Sequence, residues 1–169
     1  MMEGKPVSES RISLTQAMGV TEANVLGNVH GGVIMKLCDE AGAMAAMKHA
    51  RRPVVTVAVD SMSFHSAVHI GNLLTVKAEV TWVGRSSLET RLVVTAEDLM
   101  SAVITHTNTA YYVYVALDKG GEPIGIPPLI CETEEEQALW AEGAARQAHR
   151  LERRRQERPI HIHPEDRTD

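Results

Sequence analysis

The 169-residue sequence has few aromatic residues, two Trp, three Tyr and one Phe, although 44% of its residues are hydrophobic. Small and aliphatic side chains must therefore build the core, and a chain of this length is long enough for one domain with a sizeable core. No apolar run is long enough to cross a membrane, and the polar N-terminus predicts the absence of a signal peptide.

Cysteine and positive charge are also scarce. The two cysteines, Cys38 and Cys131, form no spaced motif, which is typical of reduced thiols in a cytoplasmic protein. The formal net charge is −5 and no long basic stretch covers residues 1–131, so nucleic acid is not expected as the main partner. His161 and His163 are too few for a metal site, and no metal is predicted.

The most informative segment is residues 24–42, where a short polar loop ends in two glycines and leads into an almost wholly apolar helix. Asp39 lies about two turns into this helix, where a carboxylate is costly to bury without a partner or a function. Glycines before a helix leave its first N–H groups bare, which suits a developing negative charge. A carboxylate near such an oxyanion site is suited to acyl chemistry.

The spacing by itself leaves other interpretations open. The two glycines could form only a tight turn, and Asp39 could be a surface residue paired with Lys36. Lys36 could equally pair with Glu40, at the four-residue spacing. A helical wheel puts Lys36 and Glu40 on one edge. Asp39 shares another face with small and apolar residues, namely Met35, Gly42, Ala43 and Ala46.

The hydrophobic pattern along the chain predicts an α+β fold. A first strand is expected over residues 8–16, a loop over 19–32 and a helix over 33–50, which is apolar nearly all round and hence enclosed by other structure. Four strands then follow without another helix, at residues 54–62, 72–83, 88–97 and 102–117. This order predicts an antiparallel sheet curled around a central helix.

The composition changes after a single domain over residues 1–131, and a charged helix is expected over 132–158. Thr133 and Glu136 have the spacing of a capping box, and acidic residues precede six arginines, an order that suits the helix dipole. A solvated helix is the simpler interpretation, and contact of the arginines with phosphate or a neighbouring subunit is the alternative. Residues 159–169 are predicted to be a disordered tail.

Five segments follow one another in the chain: NVLGNVHGG (24–32), MKLCDEAG (35–42), VVTVAVDSMSFH (54–65), VGRSS (83–87) and YVYVALD (112–118). Together they closely resemble the hotdog-fold acyl-CoA thioesterases, in the branch of the cytosolic acyl-CoA hydrolases and the bacterial YciA-like enzymes. The likeness covers about residues 8–130. Five ordered motifs are more specific than the His-Gly-Gly step alone, and they favour the catalytic interpretation of Asp39.

This resemblance implies a hotdog fold, a strongly curved antiparallel sheet wrapped around a long helix. It implies hydrolysis of acyl-CoA to a carboxylic acid and CoA, without a cofactor, in the cytoplasm and without a membrane partner. It also implies a homodimer at minimum, commonly a trimer of dimers, with the thioester at the interface. The alternative function is a non-catalytic acyl-CoA sensor of the same fold, which would tend to lose the acid at Asp39.

The resemblance also implies roles for single residues. Asp39 would act as general base or as nucleophile, and Asn24 would orient the water or the carbonyl. The oxyanion would be stabilised by N–H groups at the helix start, those of Gly31, Gly32 and Val33. His30 and Asn28 are expected to support these groups without touching the substrate. His30 could make a structural hydrogen bond or take part in catalysis. Asn28 is the alternative to Asn24 for the polar role.

CoA phosphates require cations and hydrogen-bond donors. Arg85 is the best candidate cation, with hydroxyl groups beside it in the turn formed by Gly84, Arg85, Ser86 and Ser87. A plain hairpin turn is the alternative. Three polar residues on strands could point into the site or fill the faces of the sheet, namely Thr56, Thr107 and Asn108.

Overall fold

The computed structural model describes residues 2–60 and 62–156, which form seven strands and two α-helices. In chain order these are β1 (Lys5–Pro6), β2 (Ile12–Ala17), α1 (Gly31–Ala50), β3 (Val54–Val59), β4 (Leu73–Val83), β5 (Ser87–Asp98), β6 (Val103–Ala116), β7 (Leu129–Ile130) and α2 (Glu134–Gln156). Two short 3-10 turns lie before and after β2, at Val7–Ser10 and Val20–Glu22.

Five strands form one antiparallel sheet in the order β2-β4-β5-β6-β3, so β2 and β3 are its edges. Alternate side chains of a strand point to one face, and α1 covers the face lined by the alternating apolar residues of β4 and β5. Bulges interrupt the register of three strand pairs, and bulges bend a sheet. The α+β prediction of a sheet packed around one long helix is confirmed.

The core is aliphatic, as the scarcity of aromatic residues predicts. Small and branched side chains of α1 pack against the sheet, and the fully buried members on the helix include Cys38, Ala41, Ala45 and Ala46. Tyr112 and Tyr114, on β6, are the two largest of the fully buried side chains in the described residues. Their rings fill the space that the small side chains of α1 leave open.

The structure differs from the predicted elements mainly at their ends. Residues 8–10 lie in a 3-10 turn and not in the first strand, because the buried Ser10 hydroxyl donates to Val7 O (2.7 Å) and accepts from Val80 N (2.9 Å). The third strand ends at Val59, three residues earlier than predicted. Sequence analysis missed the parallel pair β1–β7, whose two-residue strands are too short for a periodic pattern.

The C-terminal helix begins at its predicted capping box. Thr133 Oγ1 accepts a hydrogen bond from Glu136 N (3.2 Å), and Glu136 Oε2 accepts from the N–H groups of Thr133 (3.3 Å) and Glu132 (2.7 Å). Arg11 also binds Glu136, with 3.0 Å between Nη2 and Oε1, which ties α2 to the chain before β2. The tail predicted at 159–169 lies outside the described residues.

One face of α2 is not solvated, contrary to the simpler interpretation of the sequence. Gly143 lies against Trp82, where an added Cβ would come within 2.7 Å of the Trp82 Cβ. Glu89 on β5 is fully buried and accepts hydrogen bonds from Arg146 (2.9 Å) and Arg150 (3.1 Å). The side chains of these arginines are only 24% and 11% exposed, because α2 lies on the outer face of the sheet.

Neither helix of the described part is long and apolar enough to cross a membrane. Within the same residues, no group of three or more His, Cys, Asp or Glu side chains is placed to hold a metal ion. Cys38 and Cys131 are both free thiols. Burial raises the pKa of Cys38 to about 12, so this thiol stays protonated and serves as core filler.

Candidate active site

Asp39 lies where α1 meets β3 and β6. The hydroxyl of Thr56, on β3, donates a hydrogen bond of 2.6 Å to Asp39 Oδ1. Tyr114 Oη, from β6, lies 3.4 Å from the same carboxylate oxygen and 3.1 Å from the Asp39 backbone oxygen. Two hydroxyl groups from different strands therefore meet one oxygen of the carboxylate.

The pairing of charges along α1 resolves the alternatives that the sequence left open. Lys36 Nζ lies 3.6 Å from Glu40 Oε1, and both side chains are exposed. Asp39 is half-buried and no cation of the described residues forms an ion pair with it. Asp39 is thus not a surface residue paired with Lys36, and its partners are the neutral hydroxyls of Thr56 and Tyr114.

The hydroxyls of Tyr112 and Tyr114 both donate to α1. Tyr112 Oη lies 3.3 Å from Met35 O, one helical turn before Asp39. Burial raises the pKa of Tyr112 to about 12, with smaller contributions from Cys38 and Asp39. Burial, and then the neighbouring charge of Asp39, also raises the pKa of Tyr114 well above its ordinary value. Both phenols therefore remain protonated hydrogen-bond donors at neutral pH.

More N–H groups at the start of α1 have a hydrogen-bond acceptor than the sequence predicts. His30 is the N-cap, and its Nδ1 accepts a hydrogen bond from Gly32 N (2.9 Å), while its backbone oxygen accepts from Val33 N (2.9 Å). The expectation of three bare N–H groups is corrected on this point, because the imidazole satisfies a donor that glycine leaves accessible. Among the described residues, no acceptor binds the N–H of Gly31.

The two asparagines of the loop shape its backbone. Asn24 Oδ1 accepts hydrogen bonds from Leu26 N (2.8 Å) and Asn28 N (3.2 Å), the pattern of an Asx turn. Asn28 Oδ1 lies 3.0 Å from His69 Nδ1 and joins the loop to the start of β4. In the described residues no hydrogen bond joins Asn24 to Asp39, the two predicted catalytic residues.

The turn at residues 84–87 is a tight hairpin, in which Gly84 N donates to Ser87 O (2.8 Å). Arg85 is exposed and lines a cavity of about 570 Å³ whose apolar wall includes Leu129 and Trp140. Ser86 and Ser87 line a different cavity of about 510 Å³, beside arginines of α2, namely Arg150, Arg153 and Arg154. The structure therefore does not gather Arg85 and the two serines into one pocket.

The three polar strand residues that were candidates for the site have different positions. Thr56 contacts the carboxylate of Asp39 directly. Thr107 and Asn108 are fully buried and bind each other (2.9 Å), and Thr107 also donates to Val94 O (3.1 Å), while the buried Asn108 Nδ2 has no hydrogen-bond partner among the described residues. Sequence reasoning missed Tyr114 as a residue of the site. Its only signal in the sequence was the alternation of Tyr112 and Tyr114 with apolar residues of the strand.

Comparison with known proteins establishes the family. The model of the thioesterase superfamily matches residues 26–103. The sequence is 32% identical over 147 residues to the uncharacterized acyl-CoA thioester hydrolase YkhA of Bacillus subtilis, a match that covers 87% of this chain and 86% of YkhA. The chain belongs to the acyl-CoA thioester hydrolases of the thioesterase superfamily. It is also 34% identical to the cytosolic acyl coenzyme A thioester hydrolase of Rattus norvegicus, over 85% of this chain but only 38% of the rat protein.

Solved acyl-CoA thioesterases share the fold. A hexameric acyl-CoA thioesterase in its apo form superposes with a TM-score of 0.86 and 34% identity, covering 90% of this chain and 97% of that one. The acyl-CoA hydrolase of Staphylococcus aureus, solved with butyryl coenzyme A and coenzyme A, gives a TM-score of 0.83 and 30% identity over 90% and 93%. The prediction of a hotdog fold is confirmed.

Solved variants of the Staphylococcus aureus hydrolase carry substitutions at the spacing of three residues of the candidate site in the present chain. Three solved variants carry alanine in place of one Asn, one Asp and one Thr. Those positions are separated by 15 and 17 residues, and the intervals between Asn24, Asp39 and Thr56 are the same. This common spacing links Thr56 to the pair that the sequence singled out.

Proposed function

We propose that this protein is a cytoplasmic acyl-CoA thioesterase, which hydrolyses acyl-CoA to a carboxylic acid and free CoA. The observation that carries the proposal is the Asp39 carboxylate held by Thr56, at the spacing of the residues replaced in the Staphylococcus aureus hydrolase. Membership of the acyl-CoA thioester hydrolases supports the substrate class. The name of the rat relative and the two free cysteines support the location.

The hydrogen bonds of Asp39 suggest which of its oxygens reacts. Oδ1 accepts from Thr56 and lies within reach of Tyr114, whereas no hydrogen bond from the described residues reaches Oδ2. As general base, Oδ2 removes a proton from water while the water oxygen attacks the carbonyl carbon. The C–S bond then breaks, and the thiolate of CoA takes up a proton. As nucleophile, the same oxygen attacks the carbonyl carbon, the C–S bond breaks as the CoA thiolate leaves and takes up a proton, and water then cleaves the anhydride to the carboxylic acid and the Asp39 carboxylate. Both routes use the same oxygen.

The proposed oxyanion site is the start of α1. Gly31 supplies the N–H group that the described residues leave without an acceptor, and the helix dipole adds positive potential there. A single well-placed donor of this kind contributes roughly 3–4 kcal/mol in other systems. Gly32 and Val33 act through the dipole while their N–H groups bind His30, and His30 fixes the orientation of the first turn.

We further propose that a second copy of the chain completes the site. β3 is an edge strand, and three of its side chains are exposed apolar groups, namely Val55, Val57 and Val59. Thr56 lies on the same strand, so a copy that covers this edge also covers Asp39. Asn24 of that copy can then reach the thioester that Asp39 attacks, which gives a homodimer. The hexameric relative supports a trimer of such dimers.

The proposal is tested by the release of CoA thiol from acyl-CoAs of short, medium and long chain, without added metal or nucleotide. We expect saturable release with at least one of these substrates. Absence of thiol release together with tight binding of acyl-CoA would overturn the enzymatic function in favour of the sensor. Absence of both release and binding would overturn both functions.

Arg85→Ala is expected to raise KM for acyl-CoA by about five- to tenfold, with kcat changed by less than about twofold. A phosphate contact far from the thioester contributes equally to the ground state and the transition state, so its loss appears in KM. The measurement compares acyl-CoA with the corresponding acyl-pantetheine, which has no nucleotide and serves as the internal control. An unchanged KM, or the same change with both substrates, would remove Arg85 from the CoA site.

A further inference from the structure

A glycine on α1 leaves a notch beside Asp39. Gly42 is buried within the helix, where glycine costs about 1 kcal/mol relative to alanine in helix propensity. A Cβ at this position would collide with Tyr114 Oη and come within 2.9 Å of Thr90 Oγ1. The absence of a side chain therefore allows the phenol of Tyr114 to reach the helix one turn after Asp39.

We propose that Tyr114, seated in the Gly42 notch, is a positioning residue for Asp39 in the proposed hydrolysis, and this inference rests on that function. Thr56 approaches the carboxylate from β3 and Tyr114 approaches it from β6, so the carboxylate lies between two strands. Both hydroxyls meet Oδ1, and this leaves Oδ2 for water or the thioester carbon. Tyr114 acts on the reaction through Asp39 and touches no reacting atom.

The phenol hydrogen of Tyr114 can reach two acceptors on the same residue. Its oxygen lies 3.1 Å from the Asp39 backbone oxygen and 3.4 Å from Oδ1, the geometry of a shared hydrogen bond. Because one donor holds both the backbone and the side chain, the phenol limits rotation of the carboxylate relative to the helix. Tyr112 makes no such contact within the described residues, where its hydroxyl binds the backbone oxygen of Met35.

The charge state of the surroundings makes this role measurable. Cys38 on α1 and the two tyrosines on β6 are titratable groups that interact with Asp39, while β3 and β5 present the neutral Thr56 and Thr90. Burial raises the pKa of Cys38 and that of the Tyr112 phenol to about 12, and raises that of Tyr114 further. None of these three groups ionises between about pH 5 and 9, so none of them produces an acidic limb of kcat/KM.

Tyr114→Phe removes the hydroxyl and keeps the ring. A hydrogen bond donated to a carboxylate favours its charged form, so loss of this bond moves the acidic limb of kcat/KM upward by about 0.5–1 pH unit. We expect kcat to fall about 3- to 10-fold and KM to change by less than about twofold. Tyr112→Phe is the matched control on the same strand, and its acidic limb stays at the wild-type position.

Gly42→Ala tests the notch independently of the reaction. The new methyl group displaces the phenol, so we expect Tm to fall and kcat to fall at least about tenfold. In the double variant Gly42→Ala/Tyr114→Phe the phenol oxygen is absent but the new methyl group still lies 2.9 Å from Thr90 Oγ1, so Tm recovers part of the way toward that of Tyr114→Phe. Restored Tm would confirm contact between the two positions even in a chain without activity.

Three outcomes would contradict the positioning role in an active wild-type enzyme. They are an unmoved acidic limb in Tyr114→Phe, an equal shift in Tyr112→Phe, and no recovery of Tm in the double variant. A wild-type protein that releases no thiol would overturn the proposed function itself, and the recovery of Tm would still decide the notch. The two failures are therefore separable.

Discussion

Asp39→Asn should lower kcat for thiol release by at least about 100-fold. The amide has nearly the size of the carboxylate, and its oxygen can still accept the 2.6 Å hydrogen bond of Thr56, so α1 and β3 keep their packing. What is lost is the negative charge and the basicity of Oδ2. General-base catalysis contributes about 10²–10⁴-fold, and the covalent route requires the same carboxylate, so both mechanisms predict a loss of this size.

The matched control for this variant is Glu40→Gln, which removes the neighbouring carboxylate of α1. Glu40 is exposed and, among the described residues, pairs only with Lys36 at 3.6 Å, so its neutralisation should leave kcat within about twofold of wild type. Tm of both variants is measured alongside thiol release, and a normal Tm in Asp39→Asn assigns the loss to chemistry. Near-normal kcat in folded Asp39→Asn would refute Asp39 as base or nucleophile.

Mixing subunits tests whether the site is shared. Asn24 and Asp39 make no hydrogen bond within one chain, so Asn24→Ala and Asp39→Asn can complement each other in a mixed dimer. One of its two sites then holds both native residues and the other holds neither. We expect partial recovery of activity in mixed dimers confirmed by mass spectrometry. Mixed dimers without activity would show that one subunit supplies both residues.

The sequence predicts the fold well because its signals are local. The apolar helix, the alternating strands and the capping box at Thr133 each depend on spacing within one element, and the structure has all three. The bare helix start was predicted less well, because the His30 side chain accepts from Gly32 N, a contact that residue spacing does not reveal.

The contacts around Asp39 could not be predicted from spacing. Thr56 and Tyr114 reach the carboxylate because β3 pairs with β6 in a register that places Thr56 opposite Tyr114. That register depends on a bulge and on the packing of α1, which are tertiary features. The helical wheel placed Gly42 beside Asp39 but did not explain why a glycine is needed there. The explanation is the phenol oxygen of Tyr114, 72 residues later in the chain, which a Cβ at Gly42 would meet.

Spacing within the sequence also does not reveal the tertiary contacts of α2, so the helix was expected to be solvated. Loss of one of these contacts has the largest expected effect on stability. Glu89 looks like an outward-facing polar residue of β5, yet it is fully buried beneath Arg146 and Arg150 and also accepts from Thr81 Oγ1 (3.0 Å). Arg150 continues the network to Asp60 (2.6 Å), directly after β3. These ion pairs join the helix to two strands of the sheet.

Glu89→Ala should therefore lower the free energy of unfolding by about 3 kcal/mol, which is about 6–12 °C in Tm for a chain of this size. Removal of Glu89 leaves Arg146 with the exposed Glu142 and Arg150 with Asp60, and it takes from both arginines the fully buried carboxylate that they share. We choose the lower end of the 3–5 kcal/mol range for such losses, because Arg146 and Arg150 are 24% and 11% exposed and can regain water.

Glu142→Ala is the matched control, because Glu142 binds the same Arg146 from an exposed position, 3.5 Å away and 60% exposed. Exposed pairs of this kind contribute less than about 1 kcal/mol, so its Tm should change by no more than about 3 °C. Thermal unfolding of the two variants compares a buried with an exposed carboxylate, since Glu89→Ala removes the buried partner of Arg146 and Arg150 and Glu142→Ala removes the exposed partner of Arg146. Equal losses of Tm would mean that α2 does not bury Glu89 in solution, and the helix would then be the solvated one that its sequence pattern favours.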